Sequence, residues 1–373
     1  TGSSDSVTLD LKSATSTTNV SAIGLKVAGV ETLNVKGSTG TAGTDSVIEF
    51  GGSGADKLKT INLSGTADMD IDATNVAKKA TVTSTSTGAI TVTGGWVSGT
   101  TVTTGSGKDD ISLGSTTGVT YDSGAGNDLF TTAEFSYLVA TGSDDHVIKA
   151  GAGIDTLDID KAAPVIIDNH FTNVTGLEKL TFAATGDYSI TTGAAFKTAF
   201  ADSVEITSGT LTDGSSFSYA GGLYHKDTTI TLTGAALVSN QAGEVITITT
   251  GDGDDTIKTG TGTALLGEAG IGSSHVISTG AGDDTIEFGT GTIAAQTTAF
   301  MTITGGKGVD SIKRTGTKIN STVDTTGVVT YVFADGDSVV GAYDTITGYV
   351  NAEATGTLHG DLLNIGTGAT VGT

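Results

Sequence analysis

One nine-residue phrase, Gly-Gly-x-Gly-x-Asp-x-apolar-x, recurs along the chain and constrains its fold more than any other feature. Two copies are complete, Gly51–Lys59 and Gly305–Lys313, and carry Asp56 and Asp310. Copies lacking only the first glycine begin at Gly105, Gly124, Gly151, Gly251 and Gly280, and carry Asp109, Asp128, Asp155, Asp255 and Asp284. Two further stretches, around His146 and His275, keep the rhythm without the acid, with His146 and Ser274 standing where aspartate is expected. Gly-Asp pairs also mark hairpin turns, but a hairpin does not demand a fixed Asp-x-apolar order after the glycine.

Each position has a physical role. Glycine tolerates positive φ and close backbone approach, so the chain can turn tightly and aim carbonyl oxygens inward. The aspartate adds a hard anionic oxygen, which together with carbonyls suits a calcium ion. The apolar residue two places on starts a short strand and points into a core. A nonapeptide is thus half a coil, a metal-binding turn followed by a strand, and its repetition predicts a calcium-binding parallel β-roll. Asp109 and Asp128 are 19 residues apart, Asp128 and His146 are 18 apart, and His146 and Asp155 are 9 apart. Two nonapeptides would make one turn, with the loops in a column and calcium between neighbours. The steps of 29 (Asp255 to Asp284) and 26 (Asp284 to Asp310) predict insertions or widened coils.

Composition agrees with a thin solenoid. Glycine is very frequent at 56 of 373 residues, proline occurs once, and only 36% of residues are hydrophobic. Glycine has no three-residue period, which excludes collagen. The formal charge of −23 disfavours nucleic acid and anionic membranes and invites divalent cations. Without cations, stacked aspartates repel one another, so metal binding is expected to couple to folding. With no cysteine there is neither a disulfide scaffold nor a thiolate metal site. No apolar run is long enough to span a bilayer. Thr1-Gly2-Ser3-Ser4-Asp5 has neither the basic nor the apolar region of a signal peptide.

Four segments follow from the distribution of repeats: a β-rich segment with one repeat (1–103), a calcium block (104–160), a calcium-poor stretch (161–249), and a second calcium block with a β tail (250–373). No long polar linker separates them, so one continuous, elongated, all-β body is expected: a right-handed parallel β-helix or calcium β-roll. Phe196 and Phe200, four apart, predict a short helix over 194–200. Asp72–Ala80 reads as a helical turn or the corner of a coil. Trp96 reads as a packing residue. Asp335–Val339 and Tyr343–Ile346 look like degenerate repeats.

The repeats resemble those of RTX proteins, which Gram-negative bacteria export by type I secretion. Sparse copies set in Thr/Ser/Gly/Ala-rich β sequence, with phrases such as Gly29-Val30-Glu31-Thr32-Leu33 and Gly176-Leu177-Glu178-Lys179-Leu180, are most similar to RTX surface-layer (S-layer) subunits. The resemblance implies a secreted, cell-surface protein that leaves the cell unfolded, without a cleaved N-terminal signal, and folds on extracellular calcium. It implies Ca²⁺ ligation by Asp56, Asp109, Asp128, Asp155, Asp255, Asp284 and Asp310. Backbone carbonyls would come from Gly54, Gly107, Gly126, Gly153, Gly253, Gly282 and Gly308. It puts a lateral lattice of identical subunits, and a lipopolysaccharide contact in an unidentified region, among the expected partners.

A structural subunit needs no catalytic centre. There is no His-Glu-x-x-His and no Gly-x-Ser-x-Gly, which argues against an RTX zinc protease or lipase. The histidines (His146, His170, His225, His275, His359) are scattered. A β-helix polysaccharide-active enzyme would want basic and aromatic residues, but Arg314 is the sole arginine and aromatics are 5% of the chain. An RTX adhesin segment is the remaining alternative; its usual tandem, near-identical domains are not evident here.

Overall fold

In a computed structural model the described residues are all-β apart from one short α-helix and a 3₁₀ turn. The residues described are 4–12, 20–38, 46–52, 54–134, 138, 145–212, 215–234, 245–259, 274–290, 300–316, 328–334, 336–337, 343–349 and 362–365. His359, Ser53 of the first complete repeat, residues 335, 338 and 339 of one degenerate repeat, and the C-terminal residues 366–373 lie outside them.

The strands stack in parallel as a β-solenoid, and the chain divides into two compact units. Unit 1 comprises 1–160, 169–179 and 198–201; unit 2 comprises 161–168, 180–197 and 202–373. In unit 1 one sheet stacks Ser6–Lys12, Thr32–Ser38, Thr60–Gly65, Thr81–Ser84, Thr101–Thr103, Thr120–Asp122, Val147–Lys149 and Val174–Thr175, in chain order. The alternate strands, from Val20–Leu25 through Asp110–Ser112 and Leu129–Thr132 to Thr156–Ile159, stack in another sheet. Unit 2 repeats the scheme. Val204–Thr210, Thr228–Thr233, Thr256–Thr259, Thr285–Thr290, Ser311–Gly316 and Thr345–Thr347 form one stack, and strands from Val165–Ile166 to Leu362–Ile365 the other.

Period-two alternation dictates which residues enter the core. In Ile246–Thr249 and Met69–Asp72 every second residue is buried, and the apolar Ile246, Ile248, Met69 and Ile71 are at most 1% exposed. Threonines occupy many of the half-exposed positions between them, where β-branching suits the pleat. The apolar residue of the nonapeptide is buried in every copy: Leu58, Ile111, Phe130, Leu157, Ile257, Ile286 and Ile312. Trp96 is also buried.

The turn length differs from the 18 residues expected of two nonapeptides. Between paired residues the chain runs from 19 (Asp110 to Leu129) to 34 residues (Ser311 to Thr345). In repeat-bearing turns the half that runs through the loop is nine residues (Thr120 to Leu129, Val147 to Thr156, Val276 to Thr285), because its glycine loop is packed against the next loop. The other half is free to lengthen. The predicted helix is Ala194–Ala199, and both Asp168 carboxylate oxygens accept from backbone N–H groups at its start, those of Ala195 and Phe196. Asp72–Ala80 is a coil corner: the strand ends at Asp72, whose Oδ1 accepts from the Thr74 N–H at 2.8 Å.

Candidate metal centre: two stacked carboxylate columns

The glycine loops stack as tightly as their strands do. Ala125 N–H donates to Gly105 O and Ala152 N–H to Gly124 O, both at 2.9 Å. In the second block Lys307 N–H donates to Gly280 O at 2.9 Å. The second glycine of each loop sits against the carbonyl of its predecessor. At Gly153, with φ +148°, a Cβ would lie 1.5 Å from Gly126 O, and at Gly126 one would lie 1.8 Å from Gly107 O. No side chain can enter this stack, which is why glycine repeats there. The carbonyls of Gly107, Gly126, Gly253 and Gly282 therefore face the following glycine along the stack. Gly54 is different: its carbonyl accepts from Val27 N–H at 2.6 Å.

Six of the seven aspartates fall into two columns. In unit 1, Asp109 Oδ1 accepts from Ile90 N–H (2.7 Å), Asp128 Oδ1 from Asp109 N–H (2.8 Å), and Asp155 Oδ1 from Asp128 N–H (2.8 Å). In unit 2, Asp255, Asp284 and Asp310 accept in the same way from the N–H groups of Thr228, Asp255 and Asp284, at 2.7 to 3.0 Å. Each carboxylate thus caps the equivalent backbone position one turn earlier. Asp344, from a degenerate repeat, extends the second column by accepting from Asp310 N–H at 2.9 Å.

Only half of each carboxylate is used. All six aspartates are no more than 1% exposed, and the Oδ2 of each is buried without a hydrogen-bond partner among the described residues. The hydroxyls of Thr104, Ser123, Thr250 and Thr279 lie close enough to Asp109, Asp128, Asp255 and Asp284 to hold those carboxyls down somewhat, but each also has a backbone carbonyl to donate to, and among the described residues Asp155 and Asp310 have no such neighbour. Thr250 and Thr279 donate to the carbonyls of Thr279 and Gly305 at 2.8 Å, and Ser123 to Ala150 O at 2.6 Å. At Gly305 there is no side chain at all, and a Cβ would lie 2.1 Å from Asp310 Oδ2.

Burial and neighbouring acids push these carboxyls up. Asp109 rises to about 6, mainly through burial. Asp155, Asp255 and Asp310 rise to about 7, again mainly through burial, with nearby carboxylates adding to the shift. Asp128 and Asp284 are raised for the same leading reason. A buried, half-satisfied carboxylate is costly as an anion unless it takes up a proton or a cation.

Asp56 stands apart. It is half-exposed in a loop not followed directly by a strand, and its Oδ1 accepts from Gly29 N–H at 3.2 Å. It shares a concavity with Lys57, Lys59, Lys78 and Lys79, surroundings that oppose a cation.

Several capping residues escape the Asp-based reading of the sequence. Glu178 Oε2 accepts from Asp155 N–H at 2.7 Å, and Glu31 Oε2 from Asp5 N–H at 2.9 Å. The Gly-apolar-Glu-x-Leu phrases are thus capping rungs in which glutamate replaces aspartate. His146 Nδ1 accepts from Val119 N–H (3.3 Å) and His275 Nδ1 from Ile246 N–H (3.0 Å). In the second of these stretches the capping place belongs to His275; Ser274 is exposed. Beside the buried columns runs an exposed series of opposite sense. Asn127, Asp227, Asp254 and Asp283 accept from the N–H groups of Ile154, Asp254, Asp283 and Val309 one turn later, at 2.8 to 3.0 Å. Three of the four, Asn127, Asp254 and Asp283, are the residue just before a repeat aspartate.

The donor set is all oxygen, as a hard cation requires. The residues fit calcium in chemistry: each repeat turn of the two columns carries one orphaned carboxylate oxygen, in a loop whose backbone is glycine-rich. Among the described residues no three His, Cys, Asp or Glu side chains converge as a ready metal cluster. No described helix is long and apolar enough to cross a membrane. Comparison with known proteins adds no relative: no family model, no curated protein and no solved structure matches the chain.

Proposed function

We propose that the chain is a calcium-stabilised structural subunit of a bacterial surface layer, exported unfolded and folding on extracellular Ca²⁺. One observation carries the calcium step: six buried carboxylate oxygens, stacked in two columns, have no partner among the described residues. Ca²⁺ would neutralise each column and supply the missing contacts, with Asp109, Asp128 and Asp155 holding it in one unit and Asp255, Asp284 and Asp310 in the other. The surface-layer step is supported by the RTX-like repeats and by the Gly-apolar-Glu-x-Leu phrases. Lateral contact with identical subunits and location at a Gram-negative cell surface belong to the same reading.

The test is a calcium titration of chelator-treated protein, followed by circular dichroism, with the same samples imaged by negative-stain electron microscopy. Calcium-dependent β signal together with planar arrays is the expected result. β signal with persistent monomers would leave calcium structural and remove the lattice, and an unchanged spectrum on chelation would remove the calcium.

A further inference from the structure

Unit 1 carries a concavity of about 810 Å³ whose charge is opposite to that of the chain. Four lysines, Lys57, Lys59, Lys78 and Lys79, line it, with Glu31 and Asp56 as the only acids among the described residues. The chain has 41 acidic residues against 18 lysines and arginines, so its lysines would be expected to sit beside carboxylates. None of the four takes part in the ion pairs Lys12–Asp10, His225–Asp252 or Lys313–Glu287.

The lining thus carries four ammoniums against two carboxylates, each of which also caps a backbone N–H. Glu31 Oε2 accepts from Asp5 N–H, and Asp56 Oδ1 from Gly29 N–H. Lys57 and Lys78 lie on successive turns, each three residues before the paired Thr60 and Thr81. Turns in a parallel stack lie about 4.8 Å apart. Ammoniums lining one hollow focus a positive potential there. Lysine acts as a point charge and accepts phosphate and carboxylate alike.

We propose that this concavity is a binding site for clustered anionic groups, phosphates or carboxylates borne close together on one ligand. Lys57 and Lys78 each engage one group, and Lys59 and Lys79 supply the surrounding field. The site uses none of the six stacked carboxylates, so it stands or falls separately from the calcium reading.

The experiment is calorimetric titration of the full chain with tripolyphosphate and, separately, with oligogalacturonate, at a clamped free calcium concentration. Lys57→Gln/Lys78→Gln is compared with the wild type and with Lys258→Gln as a distant control, after circular dichroism shows that the folds match. The expected result is binding of at least one probe, weaker with added salt, and lost by about tenfold or more in the double variant alone. The probe that binds identifies phosphate or carboxylate as the source. Should the double variant fail to fold, Lys57→Arg/Lys78→Arg takes its place and is expected to keep binding. Heat from neither probe, or equal affinity in Lys57→Gln/Lys78→Gln, would overturn the proposal. So would a double variant whose only change is weaker self-association in sedimentation, which would mark the concavity as a contact between copies.

Discussion

Each repeat aspartate has a divided task, and the two oxygens can be separated by mutation. Oδ1 satisfies a buried backbone N–H, while Oδ2 carries charge without a partner. Asp128→Asn keeps an oxygen for the Asp109 N–H and removes the charge. In chelator this variant is expected to be at least as stable as the wild type, and its gain in stability on adding calcium should be smaller. Asp128→Ala orphans the N–H and should cost about 1–3 kcal/mol in urea denaturation. The same carboxyls set a pH dependence. Folded, Asp155, Asp255 and Asp310 titrate near 7 and Asp109 near 6, against an ordinary 3.8. Between those values the folded chain holds more protons than the unfolded chain, so stability falls as pH rises. Their contribution is full below the ordinary carboxylate value and is lost as pH climbs through about 6 to 7. Chelated protein should therefore melt at a higher temperature at pH 5 than at pH 8; the opposite order would contradict the raised carboxyls.

At the scale of loops and strands, stacking leaves no room for a side chain at the second loop glycine. Gly153→Ala places a methyl against Gly126 O in a backbone region that L residues rarely adopt. A loss of about 2 kcal/mol or more is expected in thermal or urea melts, since neither backbone can move without breaking its ladder. Asp168→Ala removes the bonds to Ala195 and Phe196 N–H and should cost about 1 kcal/mol. Strand, loop and inward residue were legible in the sequence because glycine, aspartate and the alternating apolar residue each answer to a strict local constraint. Coil length was not, because the second half of each coil meets no such constraint and ranges freely. Histidine and glutamate caps were obscured for a different reason. The requirement is an acceptor at one backbone position, and several side chains meet it, so a pattern written around aspartate passes over Glu31, Glu178, His146 and His275. The lysine concavity depends on residues 57 to 79 folding onto adjacent turns, which no linear spacing announces.

In the molecule as a whole, both units contain a carboxylate column, so chelation should loosen both. Hydrogen exchange of the Asp109 and Asp128 amides in one unit, and of the Asp255 and Asp284 amides in the other, is expected to accelerate when calcium is withdrawn. Exchange that quickens in a single unit would confine the metal to that unit. The buried caps also share one direction. Asp128 serves Asp109, Asp155 serves Asp128, Glu178 serves Asp155, and Asp284, Asp310 and Asp344 serve their predecessors likewise. Every such turn is completed by a residue that lies later in the chain. In a chain that folds as it emerges N-terminus first, each column would therefore always end in an unfinished rung, one coil behind the emerging end.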